Sequence, residues 1–178
     1  MSEFSESYHL RGATRGEATS LLSRAGLAGF VFPALDGWVS FVAEGESFKP
    51  NKRLLNSSQG VLLRWVFGDD HGWEFNVFDR AKKICDYNCS WDEELLVEGK
   101  VNLAQLKKSL GLNLPALEGE AGLKIFYPQS VEQAFEVNPA YAFARAVGLT
   151  HFRWLSFEYL YSDMSKGHPL PPDVQVVV

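Results

Sequence analysis

Cysteine and methionine are scarce in this 178-residue chain, two of each. Cys85 and Cys89 stand four residues apart, which on an extended strand is roughly 13 Å at about 3.3 Å per residue. A disulfide needs Cα atoms within about 7 Å, so the two cannot bridge each other. Their spacing is neither a C-x-x-C pair nor a zinc pattern. Two small buried hydrophobes are expected instead, in a reducing, cytoplasmic compartment. Long apolar runs are missing too. No stretch approaches the roughly 18–20 apolar residues of a membrane span, and Met1-Ser-Glu-Phe-Ser-Glu6 has no basic, apolar leader. Neither a membrane partner nor a signal peptide is expected.

Catalytic signatures are absent as well. There is no G-x-S-x-G, no phosphate-cradling glycine loop and no G-x-G-x-x-G. His9, His71, His151 and His168 are scattered, with no H-x-x-x-H among them. No cofactor or metal is expected. Basic charge is in short supply: 17 Lys and Arg against 22 Asp and Glu leave a net charge of −5. Nucleic-acid binding draws on clustered Lys and Arg, so that class of partner is not expected either.

What the chain does have is rings. Hydrophobic residues make up 46% and aromatics 13%, including thirteen Phe and five Trp, enough for one well-buried core. The most ordered pattern runs from Gly60 to Trp91. Val61, Leu63, Trp65 and Phe67 alternate with other residues; so do Trp73, Phe75 and Val77, then Cys85, Tyr87, Cys89 and Trp91. Period two of this kind predicts three antiparallel strands. Turns centred on Asp70 and near Ala81 place Trp65 opposite Phe75, Leu63 opposite Val77, Phe75 opposite Tyr87, and Val77 opposite Cys85. A one-residue slip would swap the faces, so the pattern also sets the register.

Elsewhere the signals are local. Tyr8 to Arg11 reads as a short strand. Thr14 and Glu17 have capping-box spacing before Ala18, Leu21, Leu22 and Ala25, with Gly26 as the stop. Gly29-Phe-Val-Phe-Pro33 and Trp38 to Val42, joined through Asp36-Gly37, form a hairpin. Asn51 to Asn56 suits one helical turn. Leu95 to Val97 extends a strand, and Asn102 opens a helix that closes at Gly111. Residues 113 to 129 look like a loop containing a brief strand at Leu123 to Tyr127. Helices are expected from Ser130 to about Phe135, from Asn138-Pro139 to Gly148, and over His151 to Tyr161. The expected fold is α+β: one domain, with a short N-terminal tail and a Pro-containing C-terminal tail. Its single antiparallel sheet has about five or six strands, a β-α-β-β unit and then the meander, with helices of the C-terminal half covering one face.

The register puts Arg64, Asn76 and Asp86 in one cross-strand row on the polar face, and Val66, Glu74 and Asn88 in the next. Asp70 and His71 sit on the first meander turn, where Asp, His and Gly are ordinary turn chemistry and match no metal loop. The aromatic segment from His151 to Tyr161 either closes the core or presents rings to a partner. The function expected is a non-enzymatic interaction domain, of the acidic inhibitor or toxin-neutralising type, whose polar sheet face meets another protein. On that view Arg64→Ala leaves thermal stability nearly unchanged. The rival is an enzyme or small-ligand binder with Asp86, Glu74 and Arg64 in a site between sheet and helices. Oligomeric state is left open.

Overall fold

The computed structural model describes residues 2–178. Its sheet is antiparallel throughout and larger than expected, with eight strands in the order β7-β6-β5-β4-β1-β3-β2-β8. In chain order the elements are β1 (Phe4–Arg11), α1 (Arg15–Ala25), β2 (Gly29–Val31), β3 (Trp38–Ala43) and α2 (Lys52–Ser57). The meander follows as β4 (Val61–Gly68), β5 (Gly72–Asp79) and β6 (Lys82–Ser90), then β7 (Leu96–Glu98). The C-terminal half is mostly helical: α3 (Leu103–Leu110), a 3-10 turn at Pro115–Leu117, α4 (Gly119–Phe126), α5 (Val131–Val137), α6 (Pro139–Ala146) and α7 (Phe157–Ser165). Strand β8 (Gln175–Val177) ends the order. Among the described residues no helix is long and apolar enough to cross a membrane.

The meander pairs as its alternation requires: Trp65 faces Phe75, Leu63 faces Val77, Phe75 faces Tyr87 and Val77 faces Cys85. Phe78 and Lys83 pair across a register shift, a bulge at the end of β5 that alternation does not reveal. The apolar face of these strands packs under α3 to α6, with Trp65, Trp73, Phe75, Tyr87 and Phe143 all at 2% exposure or less. Burying a large apolar side chain is worth about 1.5–3 kcal/mol, so this cluster is the main source of cohesion. Both thiols lie inside it, free and buried, and burial pushes Cys85 up to about 11.

Several expectations need correction. Helices cover both faces, not one: α1 and α2 pack on the opposite side, over Tyr8, Leu10, Val39, Phe41 and Leu62. The eight-residue β1 is an interior strand between β4 and β3, not a short strand after a tail. Leu123 to Tyr127 is not a strand: Leu123 to Phe126 is the end of α4 and Tyr127 is its C-cap. Gly122, which resembles loop punctuation, lets α4 meet the 3-10 turn so closely that a Cβ there would lie 2.0 Å from the Leu117 carbonyl oxygen. The last helix begins only at Phe157, where the Ser156 hydroxyl accepts from the Tyr159 N–H. Residues before it run alongside β1 instead: Glu6 N–H donates to Leu155 O at 2.9 Å, and Leu155 N–H donates to Ser5 Oγ at 3.0 Å. The Pro-containing tail returns to the sheet as β8, beside β2.

Candidate functional site

The two helical layers do not match in extent. On the apolar side α3 to α7 cover the sheet. On the other side α1 and α2 cover the β1-β3-β2 half and Leu62 at the start of β4, and no residue of β5 or β6 joins that cluster. Antiparallel sheets tolerate this because one face can be polar. The residues facing that side are Glu74 and Asn76 on β5 and Asp86 and Asn88 on β6, with Arg64 and Val66 on the adjoining strand. The register rows are as the alternation predicts, with Arg64, Asn76 and Asp86 in line, and Val66, Glu74 and Asn88 in line.

Arg64 differs from the expected surface group. Its side chain is wholly buried, held beneath the face by a ring of acceptors. Arg64 Nε donates to Glu6 Oε1 at 2.8 Å, Nη1 donates to Asn76 Oδ1 at 3.0 Å, and Nη1 also pairs with the Glu74 carboxylate. Nη2 stands 2.7 Å from the same Glu6 oxygen but makes no hydrogen bond among the described residues. Burial works against the Arg64 charge, and the Glu6 and Glu74 carboxylates reverse that, leaving its pKa above the ordinary value. Glu6 is raised by burial, with Arg64 partly offsetting the rise. Burial and the Glu6 charge push Tyr8 up to about 12, and its hydroxyl accepts from the Asn51 N–H at 3.0 Å. Removing one partner of a buried pair of this kind is costly, because it leaves the other charge uncompensated. The chain of contacts runs outward to solvent: Asn76 Nδ2 donates to Asp86 Oδ1 at 2.7 Å, and Lys83 Nζ to Asp86 Oδ2 at 2.5 Å.

Beside this network the face dips into a recess of about 360 Å³, lined by Phe48, Val66, His71, Gly72, Trp73, Glu74, Asn88, Ser90 and Asp92. Its floor is sheet. Its walls come from two segments that alternation does not reach: Phe48, in the turn after β3, and Asp92, just past β6. His71 Nδ1 pairs with the Asp92 carboxylate, and both side chains are more than half exposed at the rim. Phe48 is bulky, about half exposed, and in the left-handed region at φ 64°. Its N–H donates to Glu6 Oε2 at 3.2 Å, its ring lies 4.5 Å from Phe4, and its edge meets His71. A bulky residue held at positive φ must be fixed by its surroundings.

Of the predicted site residues, Glu74, Asn88 and His71 line the recess. Arg64 and Asn76 form the buried network beneath the face, and Asp86 is its exposed end. Asp70 lies exposed at the hairpin tip and does not line the recess. Sequence reasoning missed Phe48, Glu6, Ser90 and Asp92. The one available signal was Phe48 itself, a lone ring in an otherwise polar stretch. No group of three or more His, Cys, Asp or Glu among the described residues is disposed to hold a metal ion.

A second polar cluster lies inside the other layer. His9 is fully buried, with its ring nitrogens 2.9 Å from Ser7 Oγ and 2.8 Å from Ser40 Oγ. Burial, and to a lesser extent His151, lower it to about 3, so the ring is neutral. Buried Glu3 ties the chain ends together: it accepts from Ser5 Oγ at 2.6 Å, from Trp154 N–H at 2.8 Å, and from the Tyr141 hydroxyl. These contacts satisfy the polar groups of buried Glu3, Ser5, Ser7, His9 and Ser40, a structural role. Comparison of the chain with protein-family models, curated proteins and solved structures finds no match in any of the three.

Proposed function

We propose that this protein is a non-catalytic binding protein whose uncovered half-face, over β4 to β6, receives a basic surface of another protein. The observation that carries the reading is the recess: a concave, carboxylate-bearing depression on the part of the sheet that lies beyond the α1 and α2 cluster. Such a face is not filler of alternating Lys and Glu. Glu6, Glu74, Asp86, Asp92 and Glu98 stand in or around it against Arg64 and Lys83. The net charge of −5 adds a long-range field that speeds encounter with a cationic partner. Phe48 supplies an exposed ring in the wall of the recess, the residue class enriched where partners bury their anchors. Binding of the inhibitor or toxin-neutralising kind suits such a surface. The enzymatic alternative has less support, since Arg64 is spent on Glu6 and Glu74 beneath the face.

A photo-crosslinking amino acid placed at Asn88, in the recess, and in a separate variant at Leu123, on the exposed side of α4, tests the reading in the native cell. Discrete adducts from position 88 that disappear with Asp92→Lys, and none from position 123, are expected. Equal adducts from both positions, or none from 88, would defeat it.

A further inference from the structure

We infer that the recess is built for a guanidinium group, the side chain of an arginine presented by the partner. This rests on the proposed role of the face and names what the face recognises. The chemistry of the lining selects the ligand. Glu74 gives Oε1 to Arg64 and its Oε2 makes no hydrogen bond among the described residues. Asp92 gives Oδ1 to His71 and keeps Oδ2. Asn88 spends its Nδ2 on Glu98 Oε2 at 3.1 Å, which leaves its carbonyl oxygen as the end that accepts. The recess therefore offers acceptors in excess, two of them carboxylate oxygens.

An anion would meet two negative charges there, and an apolar group would strip water from them without replacing it. Guanidinium is the complement: five N–H donors, no acceptor and a fixed positive charge. Its flat face also needs an aromatic wall, and Phe48 provides one, exposed and held in place by Glu6 and Phe4. Stacking on a ring together with in-plane bonds to carboxylates is what separates arginine from lysine, whose ammonium is a compact, strongly hydrated point charge. The buried Arg64 beneath the floor positions Glu74 and so fixes half of the acceptor set.

The test is an amide-resolved NMR titration of the whole protein with N-acetyl-arginine amide, N-acetyl-lysine amide and N-acetyl-citrulline amide. Citrulline has the shape of arginine without the charge. A lone side chain binds in the millimolar range, so titration to about 20 mM suffices. Saturable shifts centred on Gly72, Asn88 and Ser90 are expected with arginine, at least threefold weaker binding with lysine, and none with citrulline. Asp92→Asn and Phe48→Ala should each weaken arginine several-fold while their spectra stay dispersed, which shows that both fold. Citrulline or lysine binding as tightly as arginine, or arginine binding unchanged in both variants, overturns the assignment. If arginine leaves these amides untouched while position 88 still yields its specific adduct, only the guanidinium assignment falls. If both fail, so does the proposed role of the face.

Discussion

Replacing Arg64 with alanine separates a buried strut from a surface contact. In the folded protein the guanidinium has no exposure and holds Glu6, Glu74 and Asn76 together. Arg64→Ala would leave Glu6 with its charge and no cation, in a site where burial already raises its pKa. Breaking one side of a buried ion pair destabilises by about 3–5 kcal/mol. In a domain of this size each kcal/mol moves the melting temperature by about 2–4 °C, so a fall of roughly 6–20 °C is expected. The penalty should also depend on pH in a defined direction. Without Arg64 the Glu6 carboxyl titrates higher still, so lowering the pH protonates it and removes the stranded charge. The difference between wild type and variant should therefore shrink from pH 8 to pH 5. Urea unfolding followed by circular dichroism at both pH values, with Arg64→Met/Glu6→Gln as an uncharged replacement, measures this. A melting temperature within about 2 °C of wild type for Arg64→Ala would refute the strut and restore the surface reading.

Other consequences are equally specific. His9 is neutral when folded, with its pKa depressed to about 3, but titrates near 6.5 when unfolded. Its contribution is complete above the unfolded value and is lost as pH falls towards the folded one, by about 1.4 kcal/mol per unit. Between pH 7 and pH 5 wild type should lose roughly 2 kcal/mol more than His9→Gln in urea unfolding, and parallel losses would contradict that. The second meander turn places Arg80 and Ala81 at φ 47° and 67°, both without glycine. Ala81→Gly should then stabilise by roughly 0.5–1 kcal/mol, read as a higher urea midpoint; a lower midpoint would argue against this turn geometry. Gly122→Ala should destabilise by more than about 2 kcal/mol, because its Cβ would collide with the Leu117 carbonyl, which is backbone and cannot step aside. An unchanged midpoint would mean that α4 does not pack so closely there.

How far the sequence can be read follows from what each pattern reports. In β4, β5 and β6 one face is fully apolar, so alternation sets both strand type and register, and the two polar rows come with it. The Thr14–Glu17 box was legible because both partners are adjacent in the chain. The N-terminal part of β1 is not legible because its alternate residues, Ser5, Ser7 and His9, are polar and look solvated, yet they are buried and bonded to one another and to distant segments. Strand β8 has only three residues, and its partner β2 is some 145 positions away, so nothing local announces it. The depth of Arg64 was hidden for the same reason. A charged residue on a polar row is buried only if Glu6, from a strand 58 residues earlier, comes alongside. The recess walls, Phe48 and Asp92, lie outside any periodic segment and meet the face only through the turns that carry them.

The most direct measurement uses two histidines of matched exposure. His71, on the recess rim, and His168, beyond α7, have side chains 62% and 61% exposed. Both should react with diethyl pyrocarbonate at comparable rates in the free protein, as resolved by mass spectrometry. Adding a hexa-arginine peptide should slow modification of His71 several-fold and leave His168 unaffected. Equal protection of the two, or protection of neither, would contradict the claim that the uncovered half-face is where this protein binds.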